Sequence, residues 1–369
     1  MSKTYKWLIV IIVIIIIIAG IWYLGAKPAT PAVTGPIKIG AILPLTGGGS
    51  FFGVEQKQGM DLANQESKIK ISYEDSETDA TKGTSAFMKL LSTDRPDVAV
   101  VSFSSVASAI MPLAVQEKMP TLQTVVSAPN IAAKTNYSLR YFTSAPQEAP
   151  IAANLIVSNL KDKKVAVLYE NSEYGKSYFS SLKTSLEALG AKVVASENFL
   201  NTDKDFRTQI TKLKASNPEA LYIVAMDKSL ALIFPELKEA GVKAHLVTNW
   251  VLANPSVIEK VGQSANGAYL TSPSYYLDQP SELTANFKSQ YKSVYGQDPS
   301  AYAAIGYDTV RLLAKLPAGI PADQFKAEFI KIGSMPGAMG DLKIDQNGEI
   351  TFALYPVQII NQKLVPLTK

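Results

Sequence analysis

The chain has 369 residues, with 36 Lys plus Arg against 32 Asp plus Glu, one histidine and no cysteine. The lack of cysteine excludes disulfides, thiol catalysis, thiolate metal sites and a lipid-modified cysteine anchor. Setting aside Lys3, Lys6 and Lys27 of the amino-terminal stretch leaves a nearly balanced charge with no basic stripe interleaved with aromatics, so nucleic acid is not an expected partner.

The first element is the run Trp7 to Leu24, uncharged and apolar or small throughout. At 1.5 Å per residue it makes about 27 Å of helix, close to the roughly 30 Å of bilayer hydrocarbon. Trp7, Trp22 and Tyr23 stand at its ends as interfacial aromatics do. The expected organisation is a cytoplasmic n-region at 1–6, a transmembrane anchor or uncleaved signal at 7–24, and a Pro-rich tether at 25–36. A cleavable secretory signal is the competing reading, because Ala26, Ala29 and Ala32 offer small residues for a cleavage site, but its apolar core is usually only about 7–15 residues. With Lys3 and Lys6 retained inside, the positive-inside rule directs the body outward, to a periplasmic or cell-surface location.

From Ile37 onward, apolar runs of strand length alternate with helical patterns: strands at 37–43, 68–73, 97–101 and 119–123, with helices at 54–66, 81–92 and 106–117 between them. The rhythm restarts after Pro150 with a helix at 151–160, then strands at 164–169, 192–199, 219–225 and 244–248, with helices at 175–188, 205–215 and 229–240. This is the pattern of two α/β units, each a mainly parallel sheet wrapped by helices, and the 47% hydrophobic content is enough for packing alone to hold them. After Tyr269 come helices at 280–294, 300–316 and 322–332, then strands at 341–344 and 350–360 joined by Asp345-Gln346-Asn347-Gly348, a hairpin signal.

Ligands of open α/β sheets bind at the carboxyl ends of the strands, so the segments just after strands are the candidates. Leu43 to Gly53, which includes Thr46 and Phe52, follows the first strand and opens a helix, where free N–H groups and hydroxyls can hold an anion. It lacks the G-K-[ST] and G-x-G-x-x-G spacings of nucleotide loops, and a plain flexible turn is the alternative. Ser102, Ser104 and Ser105 follow the third strand, and Thr124, Ser127 and Ala128 the fourth; their alternative is to cap the next helices. In the second unit Tyr174, Met226, Asp227 and Asn249-Trp250 follow successive strands, and Trp250 serves equally well as a packing residue. His245 sits inside an apolar strand with no orienting partner in view, which argues for a structural histidine. The acidic run Glu74 to Asp79 lacks the spacing of a calcium loop and reads as a solvated loop. No cofactor, metal site or catalytic constellation is expected.

These residues resemble the type I periplasmic binding proteins, in particular the leucine/isoleucine/valine-binding proteins of ABC transporters. The resemblance is carried by Ile37–Glu66, Tyr73-Glu74-Asp75-Ser76, Arg140-Tyr141-Phe142-Thr143, Tyr169 through Gly175, Tyr307-Asp308, Met339-Gly340-Asp341 and Asp345-Gln346-Asn347-Gly348. It implies an α/β fold of two Rossmann-like lobes with mainly parallel sheets joined by a three-strand hinge. Lobe one is then 37–146 plus 275–348 and lobe two 147–272 plus 350–369, with crossings near 145–149, 271–275 and 347–351. Carried over by position, Phe52 closes the cleft, Ser104 and Ser105 hold a ligand carboxylate, Val126 and Ser127 contribute backbone and hydroxyl contacts, and Tyr174 is the family's tyrosine. Trp250 stands where amino-acid binders offer an acid to the ligand's ammonium group, Met226 where they have a tyrosine, and Asp227 is the nearest substitute acid. The resemblance implies a monomeric, non-enzymatic binder of an amino acid or related carboxylate or amide, serving the permease and ATPase subunits of an importer. The alternatives are a sensor ectodomain acting through a separate signalling partner, and an enzyme.

Overall fold

The computed structural model describes residues 37–367 apart from positions 134, 278, 279 and 318. The expected anchor at 7–24 lies outside the described residues, and none of the described helices is long and apolar enough to cross a membrane.

The first sheet contains β1 (Ile39–Leu43), β2 (Ile71–Asp75), β3 (Val98–Ser102), β4 (Thr121–Thr124) and β5 (Ser138–Tyr141), with β11 (Ser334–Gly337), β12 (Gly340–Ile344) and β13 (Glu349–Thr351) added late in the chain; its order is β11-β12-β13-β5-β4-β3-β1-β2. The helices α1 (Ser50–Ser67), α2 (Ala80–Thr93) and α3 (Ser104–Gln116) cross between its parallel strands. The second sheet, in the order β15-β14-β10-β9-β8-β6-β7, is built from β6 (Lys164–Glu170), β7 (Lys192–Phe199), β8 (Ala220–Val224), β9 (His245–Thr248), β10 (Tyr269–Pro273), β14 (Leu354–Ile360) and β15 (Lys363–Pro366). Its helices are α4 (Ala145–Asn154), α5 (Glu173–Ala188), α6 (Arg207–Ala215), α7 (Asp227–Glu239) and α8 (Pro255–Val261). The chain then forms α9 (Glu282–Tyr295), α10 (Ala301–Leu313) and α11 (Phe325–Ile330), and α10 packs along α1.

The central strands β1, β3, β6 and β8 are almost wholly buried and read as continuous apolar runs, as strands covered on both faces must. Helix α2 starts where the Asp79 carboxylate accepts from the backbone N–H groups of Thr81 and Lys82, at 2.8 and 2.9 Å. Replacing Asp79 by Ala removes that cap and should lower stability by about 1 kcal/mol, read as an earlier urea midpoint at unchanged slope. Helices α1 and α10 approach closely because glycine permits it: a Cβ on Gly59 would stand 1.9 Å from the Ala303 carbonyl oxygen, and one on Gly306 2.0 Å from that of Gln56.

Three of the quoted motifs meet at one buried carboxylate. Asp308 on α10 accepts from the N–H of Ala338 at 2.7 Å, the N–H of Met339 at 3.1 Å and the hydroxyl of Tyr141 at 2.8 Å. It ties the end of β5 to the β11–β12 turn.

The chain passes from one sheet to the other between Tyr141 and Ala145, after Pro273, and between Thr351 and Leu354. The single strand expected at 350–360 is therefore split between two sheets, with β13 closing the predicted Asn-Gly hairpin against β12 and β14 pairing with β10. The helix expected to begin at 151 begins at Ala145. A reciprocal cap between Ser144 and Gln147 starts it, and Pro150 is carried inside it. Strand β5 was not expected, because polar Ser138 and Arg140 interrupt the apolar pattern.

Candidate ligand-binding cleft

Four helices begin at the carboxyl ends of the strands that precede them: α1 after β1, α3 after β3, α5 after β6 and α7 after β8. Their amino-terminal turns face a cavity of about 160 Å³ between the two sheets' domains. That is smaller than the roughly 300–1,000 Å³ of a drug-sized pocket and suits a small molecule. From the first sheet's side it is lined by Gly48, Gly49, Phe52, Thr78, Phe103, Ser104 and Ser105, and from the second by Glu170, Ser172, Glu173, Tyr174, Asn201 and Met226 through Ser229.

The loops on the first side are held in strained shapes. Phe103, which precedes α3, has φ 76°, and Val125, in the loop after β4, has φ 53°. These angles favour glycine, and they cost of order 1–3 kcal/mol each for such residues. Gln56 on α1 braces both loops, donating to the Ser102 hydroxyl at 3.0 Å and accepting from Thr124 at 2.7 Å. Phe103 lies edge-on to Phe52 with 5.5 Å between ring centroids, and Phe52 in turn meets Tyr302 at 4.7 Å.

Of the residues singled out in the sequence, Phe52, Ser104, Ser105, Tyr174, Met226 and Asp227 come together on the cavity. Thr46, Val126, Ser127 and Trp250 do not, and neither do Ser102, Thr124, Ala128 and Asn249. The Thr46 hydroxyl donates to Asp75 at 2.5 Å, and the backbone of Leu45 also donates to Asp75, so Thr46 secures its own loop. Val126 is fully buried, and the Ser127 backbone N–H donates to the Ser104 hydroxyl at 3.1 Å, which ties the two serine loops together. Trp250 is 1% exposed and packs among the segments that cross between the two sheets. Its ring stacks on Tyr302 at 5.3 Å and contacts Phe142 at 5.2 Å and Phe352 at 6.1 Å, the last two lying in the first and third crossings. This aromatic cluster fills the side of the crossings, so the cavity lies at the ends of β6, β7 and β8 and not at the end of β9.

Charge in the cleft is uneven. Asp227 is met by the Lys260 ammonium at 3.4 Å, and that ammonium also sits 5.7 Å from the Phe51 ring centroid across the cleft. Glu173 is exposed in the first turn of α5. Glu170, which ends the otherwise apolar strand β6, is buried, and burial raises its carboxyl above the usual range. The sequence reading did not select Glu170, Thr78, Phe103, Ser172, Asn201, Lys228 or Ser229. The available signal was an acid closing an apolar strand in KVAVLYE. Tyr275 and Tyr276 lie off the cavity, the Tyr275 hydroxyl donating to the Pro299 carbonyl and the Tyr276 hydroxyl accepting from the Ala301 N–H.

Elsewhere the acidic run is structural among the described residues. Asp75 clamps its loop, Asp79 caps α2, and Glu74 and Glu77 pair with Lys89 and Lys82. No group of three or more metal-ligating side chains occurs among the described residues. His245 pairs with Asp162 at 2.7 Å on the far side of the second sheet's core.

Two α/β lobes, crossed three times by the chain and enclosing a small cavity at their strand ends, define a two-lobed ligand-binding protein. The chain belongs to the periplasmic binding protein family, whose profile matches residues 36–363; the family consists of binding proteins, not enzymes. The Leu/Ile/Val-binding protein of Citrobacter freundii is 28% identical over 228 residues, a match that spans 61% of this chain and 61% of that relative. Among solved structures, a leucine-binding protein of Thermotoga maritima superposes with a TM-score of 0.82 at 23% identity, covering 90% of this chain and 98% of the other. A solute-binding protein of an R. palustris ABC transporter, solved with benzoate, gives 0.79 at 19% identity, covering 90% and 96%. These two likenesses establish the type I periplasmic binding protein fold, with mostly parallel sheets in two lobes.

Proposed function

We propose that the protein is the extracytoplasmic solute-binding component of an ABC importer, trapping an amino acid or a related carboxylate or amide between its lobes and presenting it to permease and ATPase subunits. The observation that carries this reading is the cavity on which the first turns of α1, α3, α5 and α7 converge, because unpaired N–H groups at helix starts attract an anionic group. The ligands named for the relatives, leucine, isoleucine or valine for one and benzoate for another, share a carboxylate beside an apolar body.

In this reading lobe one is 37–146 plus 275–348 and lobe two 147–272 plus 350–369, and the lobes close by rotation about the three connections. Ligand contacts to both lobes supply the differential affinity that favours the closed state. Phe52, Ser104 and Ser105 contact the ligand from lobe one and Tyr174, Met226 and Asp227 from lobe two. Residues 7–24 hold the monomer to the membrane and 25–36 give it reach.

The test is thermal melting of the full-length protein against amino acids, amides, aromatic acids, short peptides and sugars. A ligand at a hundred times its Kd adds about 2.7 kcal/mol and raises the melting temperature. A shift with a carboxylate or amide, with the compound recovered unchanged, supports the proposal. Conversion of the compound to product overturns it, as does a shift with sugars alone.

A further inference from the structure

One residue of the cleft stands on backbone that its side chain does not favour. Phe103 has φ 76° and ψ 138°, close to the region occupied almost only by glycine. The strained shape is held in place: the Phe103 N–H donates to the Thr124 carbonyl at 3.3 Å, the Phe103 carbonyl accepts from the Ala107 N–H at 2.9 Å, and Gln56 grips the neighbouring Ser102 hydroxyl. A glycine would take up this loop without strain, so what the position delivers is the ring. Strain of this kind gathers where a group has to be aimed at a ligand.

The ring lies along the wall of the cavity on the first sheet's side. It is 9% exposed, and its Cζ stands 3.5 Å from the place a Cβ on Gly49 would take, so it reaches from the start of α3 to the glycine turn before α1. Phe52 backs it edge-on at 5.5 Å and is itself fixed by Tyr302 at 4.7 Å. On the facing wall the Tyr174 hydroxyl accepts from the Asn249 amide and is fixed as well. About 160 Å³ is left between the walls. An apolar cavity of about 150 Å³ holds a single benzene, so there is room for one ring or a branched chain of similar size, and the ring of Phe103 takes up about as much again.

We propose that Phe103 sets the upper size of the ligand, its ring occupying the space between the starts of α1 and α3 that a second ring would need. The inference rests on the solute-binding reading and narrows it to carboxylates or amides whose apolar body is no larger than about one six-membered ring. Small cargo packs against the ring. Larger cargo is refused because Phe52 behind the ring and the hydrogen-bonded loop around it leave Phe103 nowhere to move.

The experiment uses two series of graded size, isovalerate, benzoate and 2-naphthoate, and leucine, phenylalanine and tryptophan. Binding is measured by calorimetry and thermal shift on the full-length protein and on its Phe103→Ala, Phe103→Leu and Phe103→Trp variants. In whichever series binds, the wild type should hold the largest member roughly tenfold or more weakly than the tightest of the smaller ones. Phe103→Ala should tighten the largest member by roughly tenfold and weaken the smallest by about three- to tenfold, which reverses the order. Phe103→Leu should fall between, and Phe103→Trp should weaken every ring-bearing member. A ring that only packs its loop would give a common loss, or none, with the order kept. That result overturns the proposal, as does a wild type that holds 2-naphthoate or tryptophan as tightly as the smaller members; both leave the solute-binding reading intact. If no member of either series binds, that reading fails and this one with it. Should Phe103→Ala not fold, Phe103→Leu and Phe103→Trp, which move the limit in opposite directions, decide the matter.

Discussion

Replacing Glu349 by Ala should lower the unfolding free energy of lobe one by about 3–5 kcal/mol, while the double replacement Arg140→Met with Glu349→Leu should cost far less or nothing. Arg140 on β5 and Glu349 on β13 are directly opposed in the parallel pairing of those strands. The guanidinium grips the carboxylate through two bonds, Nε to Oε2 at 2.6 Å and Nη2 to Oε1 at 2.7 Å, and Nη1 donates to the Ala128 carbonyl. Both side chains are buried, at 2% and 8% exposure. Removing one partner leaves the other charged in a low-dielectric interior, and desolvation then dominates. Removing both exchanges an ion pair for apolar packing of similar volume, and the desolvation cost disappears with the pair. Urea unfolding followed by a probe in lobe one reads the difference. Equal destabilisation by the single and double variants would show that shape and not charge holds β13 to β5. The pair lies where the late strands β11 to β13 join a sheet otherwise built from the first part of the chain, so its loss should also loosen the third crossing.

The parallel cores were legible because their signal is local. KVAVLY and EALYIVA are apolar on both faces, and the helices between them follow a helical period, so the two α/β units could be drawn from periodicity alone. What the sequence concealed is non-local. Strand β5 contains Ser138 and Arg140, and only the partners Gln123 and Glu349, distant in sequence, make it a buried strand. The run 350–360 looks continuous, but the crossing to the second sheet falls within it, and no local preference marks that point. In the cleft, Phe52, Ser104, Ser105 and Tyr174 were found because they follow strands and match a motif. Trp250 satisfies the same rule yet packs among the crossings, because Phe142, Tyr302 and Phe352 arrive there from three other parts of the chain. Glu170 was missed because an acid that ends a strand looks solvated until its surroundings are known.

The stability of lobe two should fall as the pH rises from about 4.5 to about 7, and Glu148→Gln should flatten that dependence. Glu148 lies on α4 just after the first crossing and is fully buried. Burial pushes its carboxyl from 4.5 up to about 7, and the donors Thr271, Tyr178 and the Trp250 N–H offset this only in part. The folded-state value lies above the unfolded one, so between the two the folded protein binds the extra proton. The contribution is fully present below about 4.5 and is lost as the pH passes through about 7. At about 1.4 kcal/mol per pH unit the loss is of order 3 kcal/mol. Other buried acids with raised values, Glu55 and Asp308 among them, slope the same way, so the wild-type curve alone does not isolate Glu148. The difference between wild type and Glu148→Gln does, and a difference constant from pH 4.5 to 8 would rule the account out. The carboxyl holds Thr271, two residues before β10 ends at the second crossing, and the backbone of Trp250 in the aromatic cluster. Ionisation strengthens those donated hydrogen bonds but leaves a desolvated charge beside two of the three connections, and that desolvation is the cost which lowers stability.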